Sequence, residues 1–310
     1  MSRLPLLRIP LLAQLEILKH VDTFDLICLS FCSEKTRILV ETAKAPLDSL
    51  TFQFDGSEDF AISVNDGFRM SCFQQPMELN RPNTVWFEEK ESKREVELLE
   101  TTESFESLRE RLIGHFLYTF RRVDDVCVSS AKTAIQNIPM WKFRKSIDQL
   151  VLCSVPEEIL SIKDMKFIFE ELTIKEKFNN FIPVTDEFRY SQGLQQKLFQ
   201  SYDAKWVEFD AILNSQSRDV FLSGIEKPTA AQLNCLLKLW MSKEKMTDLE
   251  SMSLCVESGD EFDDAFLTEV LDGIVHDRYW NDYAEIQRVD GKVARVGNRD
   301  NTEIWFRIRD

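Results

Sequence analysis

The 310-residue chain holds 3 histidines and 9 glycines, and that poverty removes whole classes of chemistry. No glycine-rich phosphate loop, no G-x-S-x-G nucleophile turn and no H-E-x-x-H zinc helix is written in it. His20, His115 and His276 stand far apart, and each reads as a surface or core-edge histidine rather than a ligand or base. Positive charge is scarce too. Lys and Arg number 38 against 53 Asp and Glu, a net charge of −15, so a nucleic acid would be repelled and is not an expected partner. Long apolar runs are missing. LPLLRIPLL contains two prolines and Arg8, and lacks a small-residue cleavage site, so neither a membrane anchor nor a signal peptide is expected. The 7 cysteines are odd in number and irregular in spacing, which suits free thiols in a reducing compartment. Cys28 and Cys32 lie four apart without a second ligand pair, and read as two buried thiols rather than a zinc site. No catalytic residue, metal or cofactor is expected.

What is present is a hydrophobic share of 44 %, normal for a globular chain, over a length that suggests about two domains. The rest of the chain is organised around its first forty residues. Leu11, Leu12, Leu15, Leu18 and Val21 recur at helical steps, with Pro10 at the first turn, where its missing N–H is tolerated. Asp22 and Thr23 break that helix and offer oxygens to cap the next, in which Phe24, Leu26, Ile27, Leu29 and Phe31 are apolar nearly all round. A helix apolar on several sides must be covered on several sides, and forty residues do not suffice. The cover is either this chain or another protein.

The same stretch resembles an F-box. Pro10 stands at the opening proline of that pattern, Ile17 and Leu18 at its aliphatic pair, and Val21 at the next aliphatic position. Asp25-Leu26 supplies the acidic-leucine step, followed by Leu29 and by Cys32-Ser33. Ala13 and Gln14 replace leucines of the common pattern, and Lys35-Thr36-Arg37 replaces its tryptophan. A large nematode F-box family shares both departures. The resemblance implies that Pro10, Leu11, Ile17, Leu18, Val21, Leu26, Leu29 and Cys32 dock on a Skp-type adaptor, and through it a cullin. Ile17, Leu18, Leu26 and Leu29 should then be exposed in the free chain.

From Ala45 the periodicity turns to strands. Leu47, Leu50, Phe52 and Phe54 share one face, and Phe60, Ile62, Val64 and Phe68, Met70, Cys72 alternate on either side of Asn65-Asp66-Gly67, a hairpin signal. Thr84 to Phe87 reads as a strand, Asn80 to Asn83 as a loop, and the charged segment Glu88 to Glu103 as a solvated edge. Ser104 caps a helix to about Phe120. A repeat follows. Val123-x-x-Val126-x-Val128 is echoed at Ile147–Leu152, Phe169–Ile174, Ala204–Phe209 and Leu249–Leu254, with a shorter copy at Val220 and Leu222. Capping boxes at Ser154-x-x-Glu157 and Thr229-x-x-Gln232 start helices between copies. Strand plus helix at this period is leucine-rich-repeat geometry, without its asparagine ladder, because Ala131, Val155 and Lys177 hold those places. Phe262, Phe266, Val270 and Ile274 make a helical stripe, and Ile286–Val289 and Val293–Val296 flank Asp290-Gly291 in a closing hairpin, with a last strand at Ile304–Ile308.

Residues 214–256 resemble the type 2 F-box-associated domain of the same nematode family, on the strand from Asp219 to Leu222, the helix QLNCLLKLWM with Trp240, and the strand LESMSL. The spacing of Leu236, Leu237 and Trp240 makes Trp240 a core residue. The expectation is therefore a mixed α/β chain: an F-box at 1–42, then an irregular leucine-rich-repeat-like solenoid at 45–310 with a hairpin insertion at about 60–90 and a C-terminal β-hairpin cap. The resemblance implies a substrate adaptor of a cullin ubiquitin ligase, cytoplasmic and/or nuclear, with an unknown protein substrate. The alternative is a repeat scaffold whose N-terminal helices cap its own core. Ten carboxylates between Glu257 and Glu285 face one arginine, Arg278, and Tyr279, Trp280 and Tyr283 lie among them. Asp260, Glu261, Asp263, Asp264, Tyr279 and Trp280 are therefore the candidate surface for a basic substrate.

Overall fold

The computed structural model describes residues 6–44, 47, 49–55, 59–65, 67–73, 83–89, 94–101, 103–120, 124–129, 134–153, 158–257, 262–279 and 283–309. Two compact units divide them, Met1–Ile147 and Asp148–Asp310.

The first unit opens with three helices, α1 (Leu11–Leu18), α2 (Thr23–Cys32) and α3 (Glu34–Ala43). Asp22 caps α2 by accepting from the Asp25 amide, as its side chain and position dictate. Ser33 caps α3 in the same way through the Thr36 amide. The third helix is an addition to the expected pair. Leu18, Leu26, Leu39 and Val40 form a small core between the three. The meander that follows is longer than the expected hairpin: β1 (Leu50–Asp55), β2 (Asp59–Val64), β3 (Phe68–Phe73), β4 (Asn83–Glu89) and β5 (Arg94–Thr101) pair antiparallel in sequence order. Asn65, left-handed at φ 50°, turns the chain between β2 and β3. Asn83 belongs to β4 rather than to a loop, and β5, within the segment read as a charged edge, is the outermost strand. Helix α4 (Phe105–Phe120) then crosses back to β6 (Asp125–Val128), which pairs parallel with β1. Ser104 Oγ accepts from the Ser107 amide at its start.

Phe24 of α2 stacks on Phe87 at 4.7 Å, so α2 lies on the buried face of this sheet. Phe31 stacks on His115 of α4 at 4.0 Å, and Ser30 Oγ bonds His115 Nε2 at 2.9 Å. The helices thus share one core with the strands.

The second unit is a sheet running from β7 (Ser146–Leu152) through β8 (Thr173–Asn180), β9 (Leu198–Ser201), β10 (Asp219–Ile225) and β11 (Ser251–Val256). Strands β8 to β11 are mutually parallel. Between them lie α5 (Ile162–Lys166), running into a π-helical turn at Phe167–Glu171, α6 (Phe209–Leu213) and α7 (Ala230–Met241). Thr229 and Gln232 close the expected capping box on α7. Residues 154–157, where another box was expected, lie outside the described residues, and α5 begins instead on a box made by Ser161 and Asp164. The copy at Ala204–Phe209 is not a strand. Ala204 and Val207 are buried in a turn, Phe209 opens α6, and the strand of that repeat is β9. In the loop before β9, a Cβ on Gly193 would collide with the Asn214 carbonyl, so glycine fits there.

After α8 (Asp264–Val270) the sheet becomes antiparallel. Strands β12 (His276–Tyr279), β13 (Tyr283–Gln287), β14 (Val293–Arg299) and β15 (Glu303–Ile308) pair in order, and β15 joins β11. Gly291, at φ 91°, turns the β13–β14 hairpin. Arg288 is buried under this hairpin. Its guanidinium lies 5.2 Å over the Trp240 ring, grips Asp290 through two bonds, and donates to the Thr247 carbonyl.

Candidate protein-interaction surfaces

Sequence reasoning gave the N-terminal helices one apolar docking face, and the structure divides it. Leu12 is 81 % and Leu11 54 % exposed, whereas Leu18 is 2 % and Leu26 4 % exposed. Leu18 and Leu26, expected at the surface of the free chain, are core residues of it. Each points into the contact among α1, α2 and α3 with Leu39 and Val40, and Leu29 and Val21 pack half-buried against the same cluster. Pro10, Ile17 and Cys32 are exposed with Leu11. Cys32 is therefore not the buried thiol its spacing suggested; its Sγ donates to the Cys28 carbonyl at 3.3 Å. Two further exposed apolar side chains, Leu7 and Ile38, were not singled out. Ile38 becomes visible only once α3 is recognised from its Ser33 cap and the Leu39–Val40 pair. Arg37, on α3, bonds Glu34 on one side and Glu41 on the other, and its hydrogen bonds hold the Glu34 carboxyl below its ordinary range.

His115 is the polar link between these helices and α4. Burial pushes its imidazole down to about 4, aided by Arg37 and Arg111, so the ring is neutral at physiological pH.

The second expected surface is only partly described. Asp260, Glu261 and Trp280 lie outside the described residues. Asp263 is the N-cap of α8, accepting from the Phe266 amide at 2.7 Å, and Asp264 is exposed in the first turn. Both acids suit the positive end of a helix dipole, which is a structural reason for their presence. Tyr279 is in β12, paired in register with Tyr283.

Among the described residues no group of three or more His, Cys, Asp or Glu side chains is placed to hold a metal, and no helix is long and apolar enough to cross a membrane. Burial raises the thiols of Cys72 and Cys255 to about 11, far from the thiolate that nucleophilic chemistry needs.

Two family models match parts of the chain. The family model for the F-box domain matches residues 6–44, which are the three helices and their lead-in. A second family model, described as F-box associated, matches residues 190–254, from the turn before β9 to the middle of β11. It begins well before the resemblance placed at 214–256, and takes in the buried Phe199 and Trp206, which the sequence reading passed over. No curated protein and no solved structure matches the chain. The chain carries an F-box domain and an F-box-associated domain.

Proposed function

We propose that this protein is the substrate-recognition adaptor of an SCF-type cullin ubiquitin ligase, of the nematode F-box kind. Its N-terminal helices dock on a Skp-type adaptor, and its second unit holds a protein substrate for a ubiquitin-conjugating enzyme bound elsewhere. One observation carries the reading: the segment matched as an F-box domain keeps Leu7, Leu11, Leu12, Ile17 and Ile38 at the surface while Leu18, Leu26, Leu39 and Val40 form its small core. Apolar side chains gathered on one small helical module mark an interaction site. The adaptor contacts are Pro10, Leu11, Ile17 and Cys32 from the expected set, joined by Leu7, Leu12 and Ile38. Leu18, Val21, Leu26 and Leu29 shape the surface from beneath. In the second unit, the parallel strands β8 to β11 with their helical returns support reading it as an irregular leucine-rich-repeat-like array, closed by the antiparallel strands β12 to β15. The acids between Glu257 and Glu285 supply a field that draws a basic substrate. The protein acts by positioning rather than by chemistry, in the cytoplasm and/or nucleus where cullin ligases work.

The test is capture of a purified Skp-type adaptor by the full chain. Burial of one leucine contributes about 1.5–3 kcal/mol, so Leu12→Asp should weaken capture by roughly ten- to a hundred-fold. Undiminished capture by this variant, or no capture by the wild type, would reject the reading. The second reading, a scaffold whose N-terminal helices serve only its own core, draws on the full burial of Phe24 and Ile27 against the chain itself. It predicts no adaptor binding at all.

A further inference from the structure

One face of the second sheet carries aromatic side chains that its core does not use. Along β10 and β11 every second residue is buried and the others are not, so the register decides what shares the open face. Phe221 pairs with Ser253, and Ser253 with Trp305, placing one small residue between two aromatic ones. In the next row Ser223 pairs with Cys255. Two strand spacings separate Phe221 from Trp305, about 10 Å. The result is a trough floored by small side chains with a ring on either side at this row, and with Asp219 and Arg307 in the row before it and Glu303 in the row after.

Both walls are reinforced. On one side the exposed Tyr202 ring lies 5.1 Å from Phe221 and stacks on Phe181 at 4.5 Å. On the other, Trp305 lies 6.2 Å from Tyr283, itself covered by Arg295 at 4.9 Å. At the end of the trough where β9 and β11 finish, the charge is negative. Asp203 follows Tyr202 and Glu257 follows β11; of the cations nearby, Lys205 is taken by Glu257 at 2.7 Å, Arg189 pairs with Glu226 at 3.7 Å, and Lys227 lies over the Phe266 ring. Burial raises the Asp203 carboxyl above its ordinary value, with Lys205 opposing and Glu257 and Asp186 adding to it.

We propose that this trough is the substrate-docking surface, and that its occupant is an extended basic peptide segment. An Arg or Lys of that segment lies over Tyr202 beside Asp203, and a bulky neighbour sits between Phe221 and Trp305. A cation over an exposed ring next to a carboxylate gains from both, and an aromatic-walled slot about 10 Å wide fits one extended chain. The small floor matters because any larger side chain at Ser253 would fill the slot. The proposal rests on reading the second unit as the substrate-binding part of an adaptor.

The experiment uses the full chain and three fluorescein-labelled twelve-residue peptides, alternating leucine with arginine, with glutamate or with serine. The arginine peptide should bind, and the glutamate peptide should not. Ser253→Trp, which fills the trough, and Tyr202→Ala, which removes the platform, should each weaken binding at least ten-fold. Asp203→Asn should weaken it most at low salt, while Glu170→Gln, in the helical turn before β8, should change nothing. Equal binding of the glutamate peptide, no binding of the arginine peptide, or indifference to both trough variants would overturn the proposal. Should those variants fold poorly, amide hydrogen exchange on the wild type decides instead. Protection by the arginine peptide must fall on Tyr202, Ser253 and Trp305, and protection elsewhere overturns the site. Adaptor capture measured on the same samples separates the two readings. Lost capture with intact peptide binding rejects the F-box role alone, and the reverse rejects the trough alone.

Discussion

Helices α1 and α7 are both rich in leucine at helical spacing, yet they meet opposite fates. In α7, Leu233, Leu236, Leu237 and Trp240 are fully buried. In α1, Leu11 and Leu12 stand in solvent, and of its leucines only Leu18 is fully buried. The apolar pattern fixes that a helix has a sticky face; it does not say whose atoms will cover it. In α7 the cover is the strand beneath, where Phe306 meets the Trp240 ring at 4.9 Å. For α1 the proposed cover of Leu11 and Leu12 is a Skp-type adaptor.

The largest expected effect breaks the comparison on the α7 side. Leu237→Ala should destabilise the protein by about 2–5 kcal/mol, since it removes buried methyl groups and leaves a cavity. Urea denaturation followed by tryptophan fluorescence measures it. An effect below about 1 kcal/mol would mean that α7 is loosely packed and no better covered than α1.

Next comes the clamp that holds the hairpin onto α7. Arg288→Ala removes the donor to the Thr247 carbonyl and the cation over Trp240, and should cost about 1–3 kcal/mol. It should also alter the acid limb of the stability curve. Hydrogen bonds from Arg288 hold the Asp290 carboxyl well below the usual range, so the stability it contributes is present above the ordinary carboxylate pH and lost as pH falls from there toward the depressed folded value. In Arg288→Ala that acid-side loss should be smaller. An unchanged acid limb would show that another carboxylate dominates it.

How far the two helices were legible in advance follows the same physics. The Thr229 box and the Asp22 cap were readable because a cap is a local device, decided by residues three apart. Strands β1 to β3 were readable because their alternation survives burial on one face. Strand β5 was not, because R-E-V-E-L-L-E-T is dominated by charge, and its place in the sheet comes from pairing with β4. Strand β9 was hidden by its length of 4 residues, and the stronger apolar spacing at Ala204–Phe209 drew the reading to a turn. At the N-terminal surface the residue types were legible but their direction was not. Leu18 and Leu26 look no different in sequence from Leu12, and only the contacts among α1, α2 and α3 separate them.

A pH titration probes the tie between α2 and α4. His115 titrates near 4 in the folded chain and near 6.5 when unfolded, so its neutral form is the one the fold holds. Between those values the unfolded chain binds more protons, and stability must fall as pH drops from about 6.5 toward 4. At pH 5 the loss attributable to this ring should be about 1–2 kcal/mol. His115→Phe keeps the stacking with Phe31 and should flatten that part of the profile. An unaltered slope between pH 7 and 5 in the variant would mean that the imidazole is already solvated.

The smallest expected effect on stability is also the one that most sharpens the comparison. Leu12→Ala strips an exposed side chain that contributes little to the chain's own core, and surface changes of this kind usually stay within about 0.5 kcal/mol. The urea midpoint should therefore not move. The same substitution in an adaptor interface forfeits most of a buried leucine, so affinity for a Skp-type adaptor should fall roughly ten-fold. The two measurements together distinguish a leucine kept for a partner from one that merely happens to be exposed. A shifted midpoint with unchanged affinity would make Leu12 part of this chain's own fold, and α1 would then differ from α7 only in degree.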